Sequence, residues 1–193
     1  MQGDRAVPVV SIVGRSNVGK TTFLERLIRE LKRRGYRVGT IKHYEHDFDI
    51  DVPGKDSWRH AQAGSDVTVI SSPQKMALVQ RLEAELPLDQ VIAVMPSVDI
   101  VLTEGYKHEK RPKIEICRGA AHELLSAERE LIALVTDQPL DCVSVPQFRF
   151  DEVAGVADLL EKKYLTRASD SKPWVEGGNS SAQGDLLADR LPL

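Results

Sequence analysis

The segment VPVVSIVGRSNVGKTTFLERLIRELKRRG, running from Val7 to Gly35, decides the fold. Its first part, Val7–Val13, is apolar with little alternation, the pattern of a strand buried on both faces within a parallel sheet. Its last part carries Phe23, Leu24, Leu27, Ile28 and Leu31 at helical spacing and stops at Gly35, a residue suited to the left-handed turn that ends a helix. Between the two stand Gly14, Arg15, Ser16, Asn17, Val18, Gly19, Lys20 and Thr21, which satisfy G-x-x-x-x-G-K-[ST] at every defined position. Phosphate binding needs this succession of strand, loop and helix. Glycines let backbone N–H groups close on phosphate oxygens, the helix N-terminus adds partial positive charge, and Lys20 adds a full one. The Thr21 hydroxyl is then placed to ligate Mg²⁺. Nucleotide binding is the strongest inference the chain offers.

Working outward, short apolar runs alternate with helix-period segments, the sign of an α/β fold with a largely parallel sheet. Tyr36–Ile41 reads as a second strand, Lys42–Gly54 as a loop, and Lys55–Ala63 as a short helix. Val67–Ser71 and Met76–Gln80, separated by Ser72, Pro73, Gln74 and Lys75, read as a hairpin, which puts an antiparallel piece in the sheet. Leu88–Met95 reads as a short helix. Val98–Thr103, Lys113–Cys117 and Leu131–Val135 read as further strands, and Asp151–Lys163 as a closing helix with an acidic N-cap. The expected architecture is a three-layer α/β P-loop NTPase fold in residues 1–165, its sheet mostly parallel with an antiparallel hairpin. Residues 166–193 hold nine Gly, Ser or Pro among 28 and keep no sustained period, so they read as a flexible tail.

Composition narrows the partners. The 193 residues include 26 Lys+Arg against 29 Asp+Glu, a formal charge of −3, which provides no bulk cationic field for nucleic acid or anionic lipid. The two cysteines, Cys117 and Cys142, have no CxxC or metal-spaced histidine pair beside them, so neither a disulfide framework nor a zinc site is expected. No secretion signal or membrane span is expected either, and a reducing cytoplasm fits best.

A phosphate-loop site also wants an acid near its metal. The run VDIVLTEG offers Asp99 at its start and Glu104 at its end, roughly 16 Å apart along a strand. Ligands of open α/β sheets sit beyond the carboxyl ends of the strands, which selects Glu104 over Asp99. The loop after the second strand crowds Lys42, His43, His46, Asp47, Asp49, Asp51, Lys55, Asp56 and Arg59 together. It is either a solvated connection or a switch segment whose Asp-Val-Pro-Gly-Lys-Asp turn directs Asp51 towards the Mg²⁺ or its waters. His43 and His46 have i, i+3 spacing but lack further matched metal ligands. Lys107, Lys110, Arg111 and Lys113 form a basic stretch just past Glu104, either a solvated loop or a seat for a second phosphorylated molecule or an acidic partner. Asp137, after LIALVT, is the natural position for an acid reading guanine, although no lysine follows Thr136 as the guanine signature requires.

With these residues in view, the chain resembles the molybdopterin-guanine dinucleotide biosynthesis protein B (MobB) family. The resemblance rests on GRSNVGKTT (Gly14–Thr22), GTIKH (Gly39–His43), HDFDIDVPGKDSWRHAQAG (His46–Gly64), TEGYK (Thr103–Lys107) and RPKIEI (Arg111–Ile116), in that order, and covers residues 7–165. It implies a GTP-binding P-loop protein with slow intrinsic hydrolysis, a homodimeric form, and a supporting role in molybdenum cofactor assembly. There a partner transferase, MobA, joins GMP to molybdopterin. By position, the resemblance puts phosphates and Mg²⁺ on Gly14–Thr22, sets Asp51 and Glu104 near the metal, and makes the Asp-x-Pro-Gly-Lys-Asp loop a switch or substrate-facing segment. Lys20, Asp51 and Glu104 are thus the expected catalytic set, with Thr21, Asp51 and Glu104 around the metal. Two other roles fit the same residues: a P-loop phosphotransferase or synthetase whose acceptor sits on the basic stretch, and a scaffold whose dimer the nucleotide stabilises.

Overall fold

Unbroken runs of β-branched residues leave a strand no polar face, so such strands must be covered on both sides. The computed structural model, which describes residues 6–119 and 123–165, meets that demand with eight strands and four helices. In chain order they are β1 (Val9–Val13), α1 (Lys20–Arg33), β2 (Val38–Lys42), α2 (Asp56–Gln62), β3 (Val67–Ser71), β4 (Met76–Gln80), α3 (Leu88–Ala93), β5 (Ile100–Glu104), β6 (Lys113–Cys117), β7 (Leu131–Thr136), β8 (Gln147–Phe148) and α4 (Val153–Tyr164). Six strands form one sheet in the order β2-β5-β1-β6-β7-β8, and every neighbouring pair in it is parallel. β1, β5, β6 and β7 are buried along their whole length.

Helices α1 and α4 cover one face of the sheet. Phe23, Leu24, Leu27 and Leu31 of α1 and Val156, Ala157 and Leu160 of α4 join Val10, Ile12, Ile114, Ile116 and Val135 in the larger core. The other face is covered by Leu88, Val91 and Ile92 of α3, packed on Val9, Ile41 and Val101. Arg34, just past α1, ties α1 to α4: its guanidinium donates to Glu30 at 2.7 Å, to Asp158 and Glu161 at 2.6 Å, and to the Ala154 carbonyl at 3.1 Å.

Several boundaries shift from the sequence expectation for identifiable reasons. The Tyr36 N–H donates to the Leu31 carbonyl in the turn that closes α1, so sheet pairing starts only at Val38, opposite Ile100. Asp99 exchanges bonds with the Arg37 backbone, which delays β5 to Ile100. Glu152 occupies the N-cap position of α4, but its carboxylate accepts the Arg149 N–H at 2.6 Å and caps no helical N–H. β8 is two residues long, too short for alternation to reveal it. The hairpin forms as expected between β3 and β4 but stands as its own two-stranded sheet rather than as part of the main one. Val67, Val69, Ile70, Met76 and Leu78 of the hairpin are exposed, unlike the apolar residues of the central strands β1, β5, β6 and β7. Cys117 and Cys142 are both free. The expected tail, 166–193, lies outside the described residues.

Two measurements test this packing. Leu27→Ala empties a fully buried site, and urea denaturation should show a loss of about 2–5 kcal/mol. Hydrogen bonds from Arg33 and Arg34 hold the Glu30 carboxyl at about 2, below its ordinary 4.5. A depressed carboxyl stabilises the fold above its unfolded value and loses that contribution as pH falls towards the folded one. The urea-midpoint gap between the parent and Glu30→Gln should therefore narrow as pH drops from about 5 to about 3.

Candidate functional site

The carboxyl ends of parallel strands present loops on one edge of a sheet, and here the edge of β1, β2 and β5 carries the chemistry. Gly14 leaves β1 at φ +149°, with its Cα so close to β6 that a Cβ would lie 2.3 Å from the Ile116 carbonyl oxygen. Only glycine tolerates that approach. Asn17 (φ 62°) and Gly19 (φ 100°) then turn the loop into α1, whose first turn holds no acidic residue and no side-chain cap. Lys20 Nζ reaches back to the Arg15 carbonyl at 2.7 Å. Ser16, Asn17, Gly19, Lys20, Thr21 and Thr22 line a cleft of about 440 Å³, closed on its far side by Lys42 and Glu104.

Glu104 is the last residue of β5, paired in register with Ile12 on one side and Lys42 on the other. Its carboxylate is buried. It accepts Thr21 Oγ1 at 3.0 and 3.1 Å on its two oxygens, and Lys42 Nζ at 2.6 Å. Burial lowers the Lys20 ammonium below its ordinary value; Glu104 opposes the shift and Lys42 adds to it, so the two lysines and the acid form one electrostatic unit. A hydroxyl and a carboxylate beside a phosphate cradle are hard oxygen donors suited to Mg²⁺, which commonly takes one or two protein oxygens and completes its shell with phosphate and water. Among the described residues no group of three or more His, Cys, Asp or Glu gathers as a metal cage, so Thr21 and Glu104 are the protein donors on offer. Asp99 sits at the opposite end of β5, holding the Arg37 N–H at 2.6 Å.

Other expected residues fall elsewhere. Asp51 is not among the residues lining the cleft; its Oδ1 accepts the Val52 N–H at 2.7 Å, at the start of the turn through Gly54 into α2. His43 faces Glu85 at 2.8 Å and lies 4.5 Å from the Tyr106 ring, apart from any metal cluster with His46. The basic stretch is largely neutralised: Lys107 pairs with Glu45 at 3.0 Å, Arg111 with Asp89, and the fully buried Lys113 with Glu130. Asp137 follows β7 and accepts the Gly119 N–H at 2.8 Å. Beside it lies a feature the sequence did not reveal. Arg118 donates to the Val18 carbonyl at 3.0 Å and stacks on Phe150 at 4.1 Å, walling the loop at Gly19. Lys42 was legible only as one charge in a crowded loop, although its place at the end of an apolar run on the ligand edge marked it out.

The chain is similar to proteins already known. The family profile described as Molybdopterin guanine dinucleotide synthesis protein B matches residues 9–137. The chain is 40% identical over 167 residues to the Molybdopterin-guanine dinucleotide biosynthesis adapter protein of Escherichia coli (strain K12), covering 83% of this chain and 95% of that one. It is 34% identical over 158 residues to the protein of the same name from Haemophilus influenzae, covering 80% and 88%. Among solved structures, Bacillus subtilis MobB superposes with a TM-score of 0.64 at 27% identity, over 79% of this chain and 97% of that one. A MobB homolog from Bacillus stearothermophilus gives 0.60 at 26%, over 82% and 99%.

The cradle is open to a direct test. Gly14→Ala forces a Cβ against the Ile116 backbone, and should cost about 1–3 kcal/mol in urea denaturation. An unchanged midpoint would show that the loop does not depend on this close approach.

Proposed function

The chain belongs to the molybdopterin guanine dinucleotide synthesis protein B family, and from that premise we propose that it is a GTP-binding adapter of molybdenum cofactor biosynthesis, with slow GTP hydrolysis. The observation that carries the nucleotide part is the meeting of Thr21 with Glu104 at the mouth of the phosphate loop. Residues Gly14–Thr22 hold the phosphates, with Lys20 supplying charge and the N-terminus of α1 its uncapped N–H groups. Thr21 and Glu104 hold Mg²⁺, which when bound neutralises charge building on the phosphates. Asp51 belongs to the segment that closes on the metal side once nucleotide is present. Asp137, beyond the Arg118–Phe150 wall, faces the base. The lining of lysines, hydroxyls, an amide and one carboxylate is a set for binding and neutralising charge, and this supports a slow enzyme that acts mainly as an adapter.

The partner in this role is a MobA-type guanylyltransferase working on molybdopterin in the cytoplasm; among the described residues no helix is long and apolar enough to cross a membrane. A homodimer is favoured by the hairpin. A two-stranded sheet is marginal by itself, and Val67, Val69, Ile70, Met76 and Leu78 lie exposed on it. The carboxylate partners of Lys107, Arg111 and Lys113 count against a phosphotransferase with its acceptor on that stretch.

Calorimetric titration with Mg·GTP and Mg·ATP tests the proposal, with GTP expected to bind more tightly. Lys20→Ala removes a charge-assisted contact and should weaken GTP about tenfold to a hundredfold. Equal affinity in the parent and Lys20→Ala would refute the site.

A further inference from the structure

Lys42 lies outside the phosphate loop, yet its ammonium sits 2.6 Å from the Glu104 carboxylate, the acid that the nucleotide reading gives to the metal. We propose that Lys42 is the resident cation of that carboxylate, holding Glu104 while the cleft is empty and turning to the terminal phosphate when Mg·nucleoside triphosphate enters; this rests on the nucleotide reading above.

The backbone around Lys42 is fixed. Lys42 pairs in register with Glu104, and the next residue, His43, donates its N–H to the Glu104 carbonyl at 3.0 Å. The His43 ring is held in turn by Glu85 and Tyr106. What remains mobile is the four-carbon stem, 45% exposed, with Nζ 2.6 Å from Glu104 Oε1. Glu104 itself is only 8% exposed, and a buried carboxylate without a cation is costly. Lys42 therefore stabilises the empty site.

A metal at Glu104 weakens that hold. Mg²⁺ on either carboxylate oxygen draws off the charge that attracts the Lys42 ammonium on Oε1 and sets a like charge close beside it. The alternative anion within reach of its stem is a phosphate in the cleft that Lys42 already lines. Charge balance agrees. With Glu104 cancelling one lysine, the empty cleft carries the surplus of the other, whereas the magnesium complex of a triphosphate is net negative and calls for both Lys20 and Lys42. A diphosphate complex calls for less. Lys42 thus reports the terminal phosphate from the edge strand that leads straight into the His43–Gly54 loop.

A purely structural ion pair between β2 and β5 makes different predictions, so the two roles separate. Mn²⁺ serves as the metal probe, its binding in the absence of nucleotide followed by electron paramagnetic resonance, and GTP and GDP are compared by calorimetry with Mg²⁺. Lys42→Met should bind Mn²⁺ alone at least about tenfold more tightly than the parent, because Glu104 is released. It should also lose about tenfold in the GTP-to-GDP affinity ratio, nearly all of it on GTP, and Lys42→Arg should restore the ratio. Parent-like Mn²⁺ affinity together with equal losses for both nucleotides would overturn the assignment and leave a structural pair. If the methionine variant melts early, Lys42→Gln carries the same two readouts. A parent that binds neither nucleotide would remove the nucleotide reading and this role with it; a parent that binds both while Lys42→Met matches it would remove this role alone.

Discussion

A carboxylate taken out of water must be met by donors or a cation, and Glu104 is met by both: the Thr21 hydroxyl from the phosphate loop and the Lys42 ammonium from the edge strand. That contact depends on the sheet order. β5 lies between β1 and β2, so its last residue falls between the loop that follows one neighbour and the end of the other. A different neighbour on either side would part Glu104 from the Thr21 hydroxyl or from the Lys42 ammonium. The pairing of β1 with β5 thus serves packing and chemistry together.

The two faces of the sheet are built for different duties. The face under α1 and α4 holds the larger apolar core, and Arg34 ties the two helices together at the end of α1 remote from the loop that precedes it. The other face is lighter, with α3 over Val9, Ile41 and Val101, while Ser11 and Thr103 satisfy one another at 2.9 Å within it and Lys113 and Glu115 are buried with partners of their own. The exposed apolar hairpin stands apart from the main sheet, free of the cradle's constraints and open to association.

Much of this was readable from residues. The apolar run before Gly14, the helical spacing after Lys20 and the glycine-bounded loop between them carry local signals, because each reflects the geometry of its own few residues. Glu104 over Asp99 followed from a general rule about strand ends, and the structure places the two acids at opposite ends of β5 accordingly. Arg118 and Phe150 gave no such signal. They stand 32 residues apart in the chain and meet only because β6 and β8 both end on the ligand edge, with β7 between them. The basic stretch looked available for a ligand because its carboxylate partners, Glu45, Asp89 and Glu130, come from other segments.

Residues alone specify the glycine-bounded loop between β1 and α1, the α/β alternation and the place of Glu104 at the end of its strand, since each is written in neighbouring residues or in the period of a single element. The tertiary structure alone decided which charges are spent and which are available: that Lys107, Arg111 and Lys113 are paired, that the hairpin leaves the main sheet, and that Lys42 sits on Glu104. Pairing between distant charges is set by strand order and register, and those are fixed when the whole sheet buries its faces, a condition no short stretch of sequence contains.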